Sequence, residues 1–254
     1  MLNGISVIVT RPQAQANVLK KILAGMGAEI LAIPGLEIFP VENAKLETTC
    51  LDLDRFQHVI FTSANAAHIG MAKLDEYWPQ WPVGIEWYAV GDATAKVLAE
   101  YTIQAHLPDK HSSEGLLALS RLQELAAQKI LIVKGVGGRT LLTDTLKARG
   151  AELVTAEVYK RVCPPINIGQ QTQVEKVLDA GTPLVMVVSS VETLENLEIL
   201  LAPSWAGLQQ KPLVVVSERI AQHAKEKGFQ HVRVSSRPDD ASVIDTLKPL
   251  FSHQ

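Results

Sequence analysis

The sequence predicts an α/β fold of two similar lobes, each a mostly parallel five-stranded sheet flanked by helices. A two-stranded β-ribbon hinge joins them, and the inner lobe is inserted into the outer one. Three observations predict this. Short β-branched runs alternate with helical spacing along all 254 residues, the pattern of parallel strands linked by crossover helices. The chain repeats itself when one stretch is displaced onto another. The repeated units also stand in rotated order, the unit that opens the chain being the one that ends its middle.

Ten runs read as strands: SVIVT, EILAI, HVIFT, WYAVG, QAHL, KILIV, ELVTA, LVMVV, LVVVS and HVRVS. The stretches between them read as helices. After Pro12, for instance, Val18, Leu19, Ile22, Leu23 and Met26 recur at helical spacing. Proline suits a first helical turn and Gly27 suits the stop.

Displacing the chain by 123 residues lays SVIVTRPQAQANVLKKILAGMGAEILAI over KILIVKGVGGRTLLTDTLKARGAELVTA without a gap. Leu19 then meets Leu142, Leu23 meets Leu146, and Gly27-Ala28-Glu29 meets Gly150-Ala151-Glu152. A displacement of 127 lays FTSANA (61–66) over VSSVET (188–193), and one of 126 lays YAVGDATAKVLAEYTIQAH over VVVSERIAQHAKEKGFQHV. The first Gly-Ala-Glu block has no partner unit until the chain returns near residue 182. An outer lobe of residues 1–35 and 164–254 is therefore expected, with an inserted lobe of residues 40–158. Residues 36–39 and 159–163 would form the ribbon, and a cleft is expected between the lobes.

Composition excludes several classes of function. Lys and Arg number 24 against 27 Asp and Glu, a formal net charge of −3, which argues against a nucleic-acid footprint. No apolar run approaches the ~20 residues of a membrane span, and MLNGISVIVTRP has none of the features of a signal peptide, so a cytoplasmic protein with no membrane partner is expected. Two cysteines, Cys50 and Cys163, and seven histidines without HxxxH or HExxH spacing give no reason to expect a disulfide or a metal.

The candidate sites fall where strands end and helices begin, the end of an open α/β sheet at which ligands bind. Thr62, Ser63 and Asn65 stand there, as do Ser189 and Ser190 in the matching turn. A nucleophile, an anion cradle and a helix cap all fit such residues. No GxSxG elbow is present and no histidine or acid stands at a recognisable spacing, so capping and anion binding are favoured over covalent catalysis. KGVGGRT (134–140) follows a strand but places Thr140 where a dinucleotide fingerprint needs its third glycine. Gly135, Gly137 and Gly138 still permit close backbone approach, Lys134 and Arg139 add positive charge, and Arg11 occupies the equivalent loop of the other lobe. In VGDATA, Thr94 falls in a first helical turn after Gly91. Tyr159 falls on the ribbon opposite Leu36, where it breaks the symmetry of the two crossings.

VTRP, FTSANA, AVGDATA, SSEGLL (112–117), KGVGGRTLLTDTLKARGAEL, VYKR, VVSS and the final strand-helix unit, in this order and spacing, resemble the uroporphyrinogen-III synthase family over essentially the whole chain. The resemblance implies cofactor-free cyclisation of hydroxymethylbilane, a linear tetrapyrrole with eight carboxylates, with inversion of ring D and loss of water. It implies a cleft tyrosine at Tyr159 that donates a hydrogen bond to the leaving hydroxyl. Distributed donors for the carboxylates are implied at Arg11, Thr62, Ser63, Ala64, Asn65, Gly91, Thr94, Ser113, Glu114, Gly115, Lys134, Gly135, Gly138, Arg139, Ser189, Ser190, Ser217 and Arg219. Family members often carry a hydroxyl where this chain has Ile220, the counterpart of Thr94. A monomer with neither metal nor cofactor is expected. The competing class is a non-catalytic two-lobed anion-binding or regulatory protein of the same fold.

Overall fold

The computed structural model describes residues 1–165 and 168–251. The chain divides into two compact units, one of Met1–Glu37 with Val162–Gln254 and the other of Ile38–Arg161.

The first unit begins with β1 (Ser6–Val9), α1 (Gln13–Gly25) and β2 (Glu29–Ala32). The second then runs from β3 (Glu37–Pro40), which spans the boundary, through α2 (Ala44–Leu51), β4 (His58–Phe61), α3 (Ala64–Asp75), β5 (Glu86–Ala89), α4 (Asp92–Glu100), α5 (Ser113–Ala118), β6 (Lys129–Gly135) and α6 (Leu141–Ala148) to β7 (Glu152–Val162). The remainder of the first unit is α7 (Ile168–Asp179), β8 (Leu184–Val188), α8 (Val191–Leu200), α9 (Trp205–Gln209), β9 (Leu213–Val215), α10 (Glu218–Glu226), β10 (Val232–Val234) and α11 (Asp240–Leu247). Among the described residues no helix is long and apolar enough to cross a membrane.

One sheet has the order β10-β9-β8-β1-β2 and the other β3-β7-β6-β4-β5. Their central strands are apolar on both faces because helices cover both. In the first sheet Ile8, Met186, Val188 and Leu213 pack to one side, while Val7, Val9, Val185 and Val187 pack to the other. In the second, Val59, Phe61, Leu131 and Val133 face one core and Ile60, Tyr88, Ile130 and Ile132 the other.

The internal repeat is reproduced residue for residue in strand register. Ser6 pairs with Glu29, and Lys129 with Glu152. Val7 pairs with Val185, and Ile130 with His58. Met186 pairs with Leu213, and Val59 with Trp87. These are the pairs that the displacements of 123, 127 and 126 require.

The few identities of the repeat have a backbone cause. Gly27 and Gly150 adopt φ of +90° and +87°, a left-handed conformation that stops α1 and α6 and strains any side chain. The amide of Gly27 donates to the carbonyl of Ala24 at 2.9 Å, and that of Gly150 to Lys147 at 2.9 Å. The next amides, Ala28 and Ala151, reach back to Leu23 and Leu146. Those leucines, with Leu19 and Leu142, are buried.

One expectation needs correction. QAHL is not a full strand. It makes a single parallel bridge, His106 beside Tyr88, and the fifth strand of the second sheet is instead β3 at the opposite edge. The run expected as ELVTA is the start of an eleven-residue strand, β7, which includes EVYKRV. Tyr159 therefore lies within a sheet, and the second unit continues past it to Arg161.

Candidate functional site

Ser63 ends the turn after β4 with extended backbone, φ −166° and ψ 161°, and its oxygen accepts the Ala66 amide at 3.1 Å as the N-cap of α3. The equivalent Ser190 accepts the Thr193 amide at 3.0 Å, Ser112 the Gly115 amide at 3.1 Å and Ser217 the Ile220 amide at 3.5 Å. Capping is thus the first job of these serines, since the opening amides of a helix have no partner within it. Thr62 donates its hydroxyl to the Val133 carbonyl at 3.3 Å.

Ser63 has a further partner. Its hydroxyl lies 3.2 Å from that of Tyr159. Tyr159 reaches this place through an irregularity in the β6–β7 ladder. Lys134 pairs with Glu157, but the next residue, Gly135, pairs with Tyr159, so Val158 is skipped. Side chains of successive strand residues ordinarily point to opposite faces, yet Val158 and Tyr159 belong to the same core cluster. The bulge turns Tyr159 toward α3, as bulges beside functional sites characteristically re-aim a side chain. The tyrosine is 3% exposed, and its ring fills the space that a side chain on Gly135 would take.

The Tyr159 side chain borders a cavity of about 260 Å³ at the carboxyl ends of β4 and β6, wholly within the second unit. Nine of the candidate site residues singled out in the sequence line it: Thr62, Ser63, Ser113, Lys134, Gly135, Gly137, Gly138, Arg139 and Tyr159. The lining supplies three basic side chains, Lys134, Arg139 and Arg161, and five hydroxyls, with no carboxylate among its described residues. Gly137 and Gly138 hold the rim open with φ of +73° and +83°. Glu114, just outside, pairs with Arg139 at 3.1 Å. Its carboxyl is held below the usual value first by its own backbone amide, then by the Ser112 hydroxyl and the Arg139 charge.

The other predicted residues lie elsewhere. Ala64 and Asn65 open α3 beside the cavity without lining it. Gly91 is the N-cap of α4, and Thr94, in its first turn, is 2% exposed. Gly115 packs so tightly that a Cβ would meet the Lys110 carbonyl oxygen at 1.9 Å. In the first unit Arg11 lines a separate cavity with Lys20 and Gln13, and its guanidinium is already engaged by Asp240 and by the Pro238 carbonyl. Ser189, Ser190, Ser217 and Arg219 stand at the starts of α8 and α10, outside that cavity. Ile220 belongs to the apolar core.

Arg161 and Thr143 line the Tyr159 cavity and were not singled out from the sequence. Arg161 carried a legible signal, for it stands two residues after Tyr159 in VYKR, the spacing that returns a strand to the same face.

The uroporphyrinogen-III synthase HemD family model matches residues 17–245. The chain is 32% identical over 250 residues to the uroporphyrinogen-III synthase of Escherichia coli (strain K12), an alignment covering 96% of this chain and all of that one. It is 31% identical over 252 residues to the enzyme of the same name from Salmonella typhimurium, with 96% and 100% covered. A crystal structure of mutant uroporphyrinogen III synthase from the extremely thermophilic bacterium Thermus thermophilus superposes with a TM-score of 0.62 at 15% identity, over 98% of this chain and 100% of that one. The Helicobacter pylori 26695 protein gives 0.61 at 14% identity, over 96% and 99%. These two structural likenesses establish the fold, and the family match with the two sequence relatives establishes membership: the chain belongs to the uroporphyrinogen-III synthase family.

Proposed function

We propose that this chain closes hydroxymethylbilane to uroporphyrinogen III with inversion of ring D and loss of water, and that the Tyr159 cavity holds one end of the substrate. The observation that carries the placement is the lining of that cavity: three cations and five hydroxyls, with no carboxylate among the described residues. Such a surface suits a ligand whose periphery is all carboxylate, because the three cations and the hydroxyls of Ser113 and Tyr159 can each pair with an acceptor-only oxygen, whereas Thr62 and Thr143 already donate to the Val133 and Thr140 carbonyls. Its volume, about 260 Å³, falls below the ~300–1,000 Å³ that encloses a whole drug-sized ligand. It therefore suits one pyrrole with its acid arms rather than all four.

The substrate supplies most of the electronic drive. The pyrrole nitrogen lone pair expels hydroxide from the hydroxymethyl carbon and leaves an azafulvenium cation, which becomes the neutral azafulvene when its N–H proton is lost. The substituted carbon of ring D attacks that carbon to give a spiro intermediate, which fragments and recloses as the asymmetric macrocycle. Tyr159 assists the first step by donating a hydrogen bond to the departing oxygen, which leaves as water once it takes up the proton released from the pyrrole nitrogen. Lys134, Arg139 and Arg161 hold the carboxylate arms so that the folded geometry persists and simple head-to-tail closure is disfavoured. The working form proposed is a single chain acting in the cytoplasm.

The test is Tyr159→Phe, which keeps the ring and removes the donor. Turnover is expected to fall by about ten-fold or more while remaining measurable, with KM little changed. Full turnover in this variant would remove Tyr159 from the mechanism.

A further inference from the structure

The two hydroxyls of Ser63 and Tyr159 stand 3.2 Å apart, and either could donate to the other. The direction matters, because each oxygen carries one proton. If Tyr159 donates to Ser63, its proton is spent and it cannot protect a departing hydroxide. If Ser63 donates, the Tyr159 O–H is left to turn into the cavity.

The surroundings of Ser63 select the second arrangement. Its oxygen already accepts the Ala66 amide at 3.1 Å, at the N-terminus of a twelve-residue helix. That end of a helix carries a partial positive charge. An oxygen that accepts there becomes the better donor through its own proton, since hydrogen bonds in a chain polarise one another. The neighbouring hydroxyl cannot replace it, for Thr62 donates to the Val133 carbonyl. The Tyr159 ring is 3% exposed and stands against Gly135, so its oxygen cannot swing away from Ser63.

We infer that Ser63 is a positioning residue for Tyr159: the Ala66 amide donates to Ser63, Ser63 donates to Tyr159, and the Tyr159 O–H is thereby aimed into the cavity. This rests on the role proposed above for Tyr159 and gives Ser63 no contact with the reacting atoms. It also accounts for a difference between the repeats. Ser190 caps α8 as Ser63 caps α3, yet its own hydroxyl donates to Thr193 at 2.8 Å, so in that unit the chain of donors turns back into the helix.

A double-variant cycle on the full chain tests it. Hydroxymethylbilane would be supplied to the wild type, Ser63→Ala, Tyr159→Phe and the double variant, with kcat, KM and isomer yield measured. Ser63→Ala is expected to lower kcat about three- to ten-fold with KM within about two-fold, and to add nothing in the Tyr159→Phe background. Ser63→Thr, which retains both cap and hydroxyl, should restore most of the rate. Ser63→Gly, which keeps most of the capping, should match Ser63→Ala and so separates the hydroxyl from helix stability. Losses that multiply in the double variant, or an unchanged kcat in Ser63→Ala, would overturn the inference. A wild type that makes no type III isomer would instead overturn the proposed function, and a fully active Tyr159→Phe the role of the tyrosine.

Discussion

The ring of Tyr159 occupies the space in which any side chain at Gly135 would have to stand. A Cβ on Gly135 would lie 2.6 Å from Cζ of Tyr159 and 2.9 Å from its hydroxyl oxygen. The glycine is thus required for room, its backbone lying outside the left-handed region. Gly135→Ala is expected to push the ring off its position and separate it from Ser63, at an overpacking cost of about 1–3 kcal/mol. Turnover should fall to about the level of Tyr159→Phe while the protein stays folded, as circular dichroism with a kinetic assay would read. A Gly135→Ala variant with wild-type kcat would show that the tyrosine's placement does not matter.

Gly115 is a second steric requirement, this time against backbone. Its Cβ would meet the Lys110 carbonyl oxygen at 1.9 Å and the carbonyl carbon at 3.0 Å, neither the mobile end of a side chain. Gly115→Ala should cost about 2–3 kcal/mol in denaturant unfolding and displace Ser113 from the cavity wall. Unchanged stability would mean that the Lys110 turn yields freely.

The repeat predicts equal treatment of two caps. Ser63→Ala and Ser190→Ala each remove an N-cap acceptor at 3.0–3.1 Å, and each should lower unfolding free energy by about 1 kcal/mol. A loss at one site only would break the equivalence of the two turns.

The thiols offer a check on packing. Cys50 is buried, and burial pushes its thiol up to about 11. Cys163 is exposed, and its smaller upward shift has the same cause. Because the thiolate is the reactive form, a disulfide reagent at pH 8 should titrate one thiol in the native protein and the second only after unfolding. Two fast-reacting thiols would contradict the core packed around Cys50.

The fold was legible because its repeat rests on backbone requirements that leave residue signatures. Gly27 and Gly150 both stop a helix with positive φ, and the leucines a turn or two before them face the core. Hence displacements read from the sequence reproduce the strand register. QAHL reads as a strand yet forms one bridge, because a short polar-apolar run carries strand propensity without saying how much of a ladder it forms. The site was legible in part. Serines before helices announce themselves as caps, but the meeting of Ser63 with Tyr159, 96 positions apart, depends on a ladder irregularity at Lys134/Gly135 whose mark in the sequence is a single glycine, one of three in that loop. The Arg11–Asp240 pair, 229 positions apart, is invisible for a similar reason, since the meeting of the loop after β1 with the start of α11 is set by tertiary packing.

The central claim is that this chain directs ring closure to the inverted isomer. Incubating the purified protein with freshly prepared hydroxymethylbilane, oxidising the product and separating the porphyrin isomers tests it most directly. Uroporphyrin III formed faster than the spontaneous closure is the predicted result. Type I alone, at the spontaneous rate, would contradict it.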